Sequence, residues 1–242
     1  MIQTENTAIV LRHADYRDND RMVTLLSPTR GRIDAIIRNC RKPKSHNLNA
    51  GELFALGDYM LYEANGRITV TSVSLIETFY PLRADYERLS CGVYLLNLAE
   101  AVAEPGQERR ELFMLLLHTL SRLAFSDQET KPLLAGFLLH FASCEGFRPR
   151  LNHCVNCGRA VPENGPFFFD AESGGLCCAD CRRDRLPVTL SKEQLAWMRY
   201  ALENGSASWV NTTEMNAPYA LLRNYVEGKL GRRFKALKHA GG

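Results

Sequence analysis

Two Cys-x2-Cys pairs, Cys154 with Cys157 and Cys178 with Cys181, constrain this chain more than any other feature. A Cys-x2-Cys turn points two thiolates at one point, and the 20 residues between the pairs suffice for a hairpin excursion that brings the second pair back to the first. Gly158 after the first pair, and Gly174-Gly175 before the second, let the backbone curl so that its N–H groups face sulfur. Cys177 competes for the site in principle, but three residues separate it from Cys181, one too many for the usual turn, so it reads as a spare thiol. Four unrelated buried cysteines would not fall at this spacing. Four thiolates close a tetrahedral shell and leave no open position for water, so the expectation is one structural Zn²⁺ and no reaction at it. His153 beside Cys154 reads as a surface residue that the four-sulfur set does not need.

The other cysteines fit a reducing compartment. With eight in all, ligands plus buried thiols is a better reading than disulfides. The start MIQTENTAIVLRHAD has no basic stretch followed by an apolar run, and apolar runs such as LLAGFLLHFASC stop short of the roughly 18 residues a membrane span needs. The expectation is a soluble cytoplasmic chain with no membrane partner.

The chain reads in segments. Residues 1–80 carry short β-branched and aromatic runs (IVLRHA, RMVTLLS, RIDAIIR, YMLYEA, RITVTSVSL) divided by turn signals. Asn65-Gly66 is a hairpin cue, since both residues tolerate positive φ. Five such strands suggest a small barrel. Pro81 marks a change to helical periodicity over 81–150: Leu112, Phe113, Leu116, Leu117, Leu120 and Leu123 recur at helical spacing, as do Leu133, Leu134, Phe137, Leu138 and Phe141. Ser126 with Glu129, and Ser191 with Gln194, have capping-box spacing. Residues 151–186 hold the cysteines, and 187–242 return to helix and a basic tail. The fold class is thus α+β and multidomain: a five-stranded barrel, a central and C-terminal helical bundle, and an inserted zinc ribbon with four cysteine ligands.

The formal net charge is only +3, so any nucleic-acid argument rests on local clustering. From residue 21 to 44 there are seven cations, Arg21, Arg30, Arg32, Arg38, Arg41, Lys42 and Lys44, against the single acid Asp34. RNCRKPKSHN reads as a stiff basic loop leaving a strand. On a small barrel such a loop and a strand face form a groove for single-stranded nucleic acid, with Tyr59 or Tyr62 available to stack bases and Phe54 assigned to the core. The alternative is a solvated polar face. The tail cations Lys229, Arg232, Arg233, Lys235 and Lys238 serve either as a second phosphate contact or as a solubilising end.

No constellation for catalysis occurs. There is no G-x-x-x-x-G-K-[ST] loop, no G-x-S-x-G elbow, no H-E-x-x-H helix, and no H-x-E paired with P-C-x-x-C. Asp15, Asp18 and Asp20 alternate with Arg17 and Arg21, which favours an ion-paired polar loop over a Mg²⁺ site. The chain is therefore expected not to be an enzyme.

IVLRHADYRDNDRMVTLLSPTRGRIDAIIRNCRKPKS, GFRPRLNHCVNCG, GGLCCADC and YVEGKLGRRFKALK, in this order, resemble the signature segments of the bacterial recombination mediator family RecO. Asn39 stands where that family's loop has glycine; asparagine also tolerates the left-handed turn. Cys40 and Cys177 are additions. The resemblance implies an OB-fold at residues 1–80, binding of single- and double-stranded DNA, strand annealing, engagement of RecR and of the acidic C-terminal tail of SSB, and help in loading RecA, all without nucleotide hydrolysis and at the nucleoid. Arg122 and Lys131 are candidates for the rim that receives the SSB tail. A protein–protein adaptor built on the zinc ribbon, without direct DNA binding, is the competing reading.

Overall fold

The computed structural model describes residues 2–161, 164–182, 188–204 and 218–234. The chain divides into two compact units, Met1–Phe125 and Ser126–Lys238, described separately below.

In the first unit five strands close into a barrel: β1 (Ile2–Tyr16), β2 (Asp20–Ser27), β3 (Gly31–Ile37), β4 (Leu56–Ala64) and β5 (Arg67–Glu77), in the order β1-β2-β3-β5-β4. All five expected runs are strands, and the five-stranded barrel of the sequence reading is present. β1 is longer than its apolar run suggested. Its first half pairs with β4 (Ile2↔Glu63 to Ile9↔Leu56) and its second half with β2 (Ile9↔Leu26 to Tyr16↔Asp20). The register shifts between Val10 and Arg12, and such a bulge bends a strand enough for one segment to serve two neighbours. The polar residues of QTENT hid this half from a search for hydrophobic strands.

Asn65 and Gly66 join β4 to β5 with φ of 51° and 70°, the paired left-handed geometry of a type I′ turn. Asn39 is left-handed as well, at φ 55°, so asparagine holds the turn after β3. The barrel core holds Val10, Val23, Leu25, Ile33, Ile37, Leu61 and Val70. Tyr59, expected as a base-stacking surface, belongs to this core and is fully buried. Its hydroxyl donates to Ala50 O at 2.9 Å and Ala55 O at 3.3 Å, tying the loop between β3 and β4 to the barrel, and burial pushes its phenol pKa up. The physical reason is register. Tyr59 shares the inward face with Leu61, whereas Tyr62 is one residue out of phase and half-exposed. Phe54 is buried, as expected. Replacing Tyr59 by Phe is expected to lower stability by about 1–3 kcal/mol, because the buried Ala50 carbonyl loses its donor while Ala55 O keeps the Val10 N–H; urea unfolding measures it.

A 3₁₀ turn at Tyr80–Ala84 carries Pro81, and α1 (Tyr86–Val102) and α2 (Arg110–Phe125) follow. Asp85 caps α1 through Arg88 N at 3.0 Å. Both helices bury leucines and fall within the barrel's unit.

The second unit contains α3 (Thr130–Cys144), α4 (Lys192–Asn204), α5 (Tyr219–Lys229) and a three-stranded sheet of β6 (Phe167–Asp170), β7 (Gly175–Cys177) and β8 (Val188–Leu190), in the order β7-β6-β8. The capping box before α4 is made: Gln194 N donates to Ser191 Oγ at 3.1 Å and Ser191 N to Gln194 Oε1 at 3.0 Å. The one expected before α3 is not. Glu129 itself occupies the N-cap position without a side-chain bond, and Ser126 Oγ instead accepts from Gln128 N. Tyr225 of α5 knits the unit together. Its ring lies edge-on to Phe147 at 5.9 Å and Phe169 at 5.4 Å, and its hydroxyl donates to Phe147 O at 2.6 Å.

Candidate metal centre and basic loop

The ribbon brings the four spaced cysteines together. The Sγ atoms of Cys154, Cys157, Cys178 and Cys181 all lie within 4.8 Å of one another, and Cys157 and Cys178 are 3.7 Å apart. Four sulfurs at about 2.3 Å from a tetrahedral ion sit about 3.8 Å apart, so the donor set and its size fit such an ion. All eight cysteines are free thiols. Both knuckles are built by backbone bonds: Gly158 N to Cys154 O at 2.9 Å, and Cys181 N to Cys178 O at 3.1 Å. Cys178 N points at Cys154 Sγ at 3.4 Å, the N–H-to-sulfur contact that stabilises a thiolate.

The chain enters this centre along Arg150, whose N–H donates to Gly174 O and whose carbonyl accepts from Leu176 N. A side chain at Gly175 would place its Cβ 2.4 Å from Arg150 O, so only glycine lets these two segments run so close.

Thiol acidity follows from the clustering. Burial raises the pKa of Cys154, but hydrogen bonds from backbone N–H groups at Cys178, Cys157 and Asn156 outweigh it and bring the thiol down to about 6. Cys181 is pushed up to about 12, because its hydrogen bonds with the Cys178 and Cys157 thiols hold its proton. Four like charges cannot gather there unless a cation joins them. Arg159 crosses the exposed side and pairs with Asp180 at 3.0 Å.

Cys177 stands outside the four-sulfur group. It is a buried β7 residue paired with Phe168, and burial pushes its thiol up, away from the thiolate a metal requires. Cys177→Ser is expected to leave metal content at one ion per chain while lowering ribbon stability modestly; atomic emission and thermal melting check the two parts.

The basic segment resolves into two groups. Arg21 is a tie: it donates to Glu52 at 2.5 Å and Asp15 at 3.2 Å, and Arg41 reaches the same Asp15 at 3.3 Å. His13 Nδ1 lies 2.7 Å from Gly51 O beside this network. The ion-paired polar loop expected around Asp15 and Arg21 is therefore present, and it anchors the long β3–β4 connection. Arg30 pairs with Glu63 at 2.5 Å, and Arg32 with Asp34 at 3.0 Å. Arg38, Lys42 and Lys44 are exposed and make no ion pair among the described residues. The split is invisible in the sequence for Arg21 and Arg30, whose partners Glu52 and Glu63 lie far along the chain.

Other candidates are more scattered. Lys229 donates to Glu172 O at 2.8 Å and lies over the Tyr225 ring, Arg232 lies over Phe234, and Arg233 is exposed. Lys235 and Lys238 lie outside the described residues. Arg122 is half-buried on α2, and Lys131 is exposed in the first turn of α3. No helix of the described residues is long and apolar enough to cross a membrane.

Comparison with known proteins agrees with this architecture. Residues 1–79 match the family model for the recombination protein O N terminus, and residues 83–238 match that for its C terminus. The DNA repair protein RecO of Anaeromyxobacter sp. (strain K) is 35% identical, over 98% of this chain and 95% of its own length. That of Alkaliphilus metalliredigens is 35% identical over 75% of this chain and 72% of its own, and that of Symbiobacterium thermophilum 33% over 72% and 69%. With both halves matched in order, and with barrel, helices and cysteine cluster in place, the chain belongs to the RecO family of DNA repair proteins.

Proposed function

We propose that this chain is a DNA-binding recombination mediator that holds single- and double-stranded DNA through phosphates and anneals complementary strands. The observation that carries the reading is the trio of exposed cations without ion pairs, Arg38, Lys42 and Lys44, on the loop that leaves β3 of a closed five-stranded barrel. Arg21 of β2 and Arg41 of the loop act chiefly through the anchoring network, and the unpaired three meet phosphate. Annealing then needs no catalytic residue: neutralised backbones approach and base pairing supplies the free energy.

In the same proposal residues 1–80 bind DNA, the helices of 81–150 and 187–242 receive protein partners, and the ribbon of 151–186 is held by one structural Zn²⁺. The partners are RecR and the acidic C-terminal tail of SSB, with Arg122 and Lys131 as candidate contacts for the tail and RecA loading as the outcome. Among the described tail cations, Arg233 is exposed and, unlike Lys229 and Arg232, lies over no aromatic ring, so it is the one proposed to meet DNA. Four sulfur donors support zinc over harder cations, and a shell they complete favours a clip over a Lewis acid.

The test is annealing of SSB-coated complementary oligonucleotides by the purified protein without ATP. Acceleration over the SSB-only control is expected. No acceleration, together with no binding of single-stranded DNA at low salt, overturns the reading in favour of the adaptor.

A further inference from the structure

The outer wall of the barrel holds a cavity of about 530 Å³, lined chiefly by Arg38, Tyr62, Asn65, Arg67, Thr69 and Thr71. Its position follows from topology. β3 and β5 run parallel through only two pairs, Ile36↔Thr69 and Ile37↔Val70, so the seam between them is short and parts beyond Ile37, where Arg38 begins the loop. On the other side β4 and β5 pair Tyr62 with Thr69 and Ala64 with Arg67. Directly opposed residues share a face, and Leu61 and Val70, one step out of phase, are buried in the core. Tyr62, Thr69 and Arg67 therefore line one outward wall, with Arg38 across the seam and the Asn65-Gly66 turn at its rim.

The chemistry of this wall is unlike that of the rest of the barrel. Arg30 and Arg32 each have a carboxylate partner, whereas Arg38 and Arg67 have none among the described residues, and no acid lines the cavity. The half-exposed Tyr62 has a hydroxyl with no hydrogen bond among the described residues. Two guanidinium groups without counter-ions, flanking an accessible aromatic ring and threonine hydroxyls, match a phosphate–base–phosphate run of a single strand. The volume falls within the about 300–1,000 Å³ of small-ligand sites. A duplex keeps its bases stacked inside and has no free base face to offer the ring.

We propose that this wall is a nucleotide-sized subsite for single-stranded nucleic acid, with an unpaired base on the Tyr62 ring and the flanking phosphates on Arg38 and Arg67. This rests on the DNA-binding reading and deepens it. The loop cations grip any phosphate backbone, while Tyr62 gives the first unit a preference for unpaired strands.

The test compares wild type, Tyr62→Leu, Tyr62→Phe and Arg67→Ala on an ordinary single strand, an abasic strand of equal length and a duplex. Tyr62→Leu is expected to lose about tenfold on the ordinary strand, within the range of one base–aromatic stack, and to match wild type on the abasic strand and the duplex. Tyr62→Phe should bind as wild type does, since the ring is the contact. Arg67→Ala should lower the salt slope by about 0.7 on both single strands, one phosphate's worth. If wild type binds single strands and Tyr62→Leu, with an unchanged melting temperature, binds them equally well, the subsite is wrong and the DNA reading stands. If wild type binds none of the three probes, both fall. Competition by a millimolar nucleoside monophosphate as strong as that by an equimolar oligonucleotide would assign the cavity to free nucleotide and overturn the strand proposal.

Discussion

Cys154→Ser and Cys181→Ser are each expected to cut bound metal from one ion per chain to near zero and to unfold the ribbon. The reason lies in how little else holds the sulfur side. There Cys154, Phe168 and Cys177 form a small buried cluster, with Val155, Cys178 and Cys181 only partly buried against it, while Phe169 and Leu176 are buried elsewhere, Phe169 against Tyr225. Two of the ribbon's strands, β7 and β8, have three residues each. A cluster of this size offsets little of the conformational entropy of ordering the two cysteine knuckles, whereas a four-thiolate zinc site supplies about 10–16 kcal/mol in small zinc domains. Serine keeps the shape of cysteine but not the thiolate, so the loss is chemical rather than steric. Atomic emission on the purified variants reads the metal, and hydrogen exchange across Phe167–Leu190 reads the ribbon. Protection that persists in a metal-free variant would mean that packing alone folds it. The barrel's own unit should melt unchanged, because none of its residues contributes a ligand.

Substituting Arg38, Lys42 and Lys44 together with Ala should weaken single-stranded DNA binding about a hundredfold near 0.1 M salt. Each phosphate released on a single strand removes about 0.7 from the slope of log K against log salt, so three remove about 2. The slope is the more telling readout, since a general loss of folding would lower affinity without a defined change in salt dependence. Arg32→Ala is the control. Its guanidinium is already held by Asp34 at 3.0 Å, so affinity and slope should stay close to wild type. Unchanged binding by the triple variant would move the DNA contact off this loop.

What the sequence revealed was local. Cys-x2-Cys spacing, Asn65-Gly66, the left-handed Asn39 and the Ser191–Gln194 cap each encode their geometry within a few residues, and each is present. What stayed hidden depends on partners distant in the chain. The ion pair of Arg21 could not be read locally because Glu52 arrives 31 residues later, and that of Arg30 with Glu63 is non-local in the same way. Tyr59 and Tyr62 look equivalent in sequence. Only the pairing register of β4 sends one inward and the other out. The failed Ser126–Glu129 cap shows that spacing permits a capping box without compelling one; α3 starts four residues beyond Ser126.

β1 has a consequence for how this chain comes into being. Ile2 to Ile9 are synthesised before their partners on β4 and can pair only when Leu56–Glu63 has followed. Until then this segment is an unsatisfied edge, able to pair with another nascent chain. Barrel closure pairs segments distant in the chain, so it is expected to lag behind the local β2–β3 hairpin in folding. Shortening the first eight residues should leave β2 and β3 paired with each other but deny the barrel its seam, turning a closed wall into an open sheet with β4 as a new sticky border.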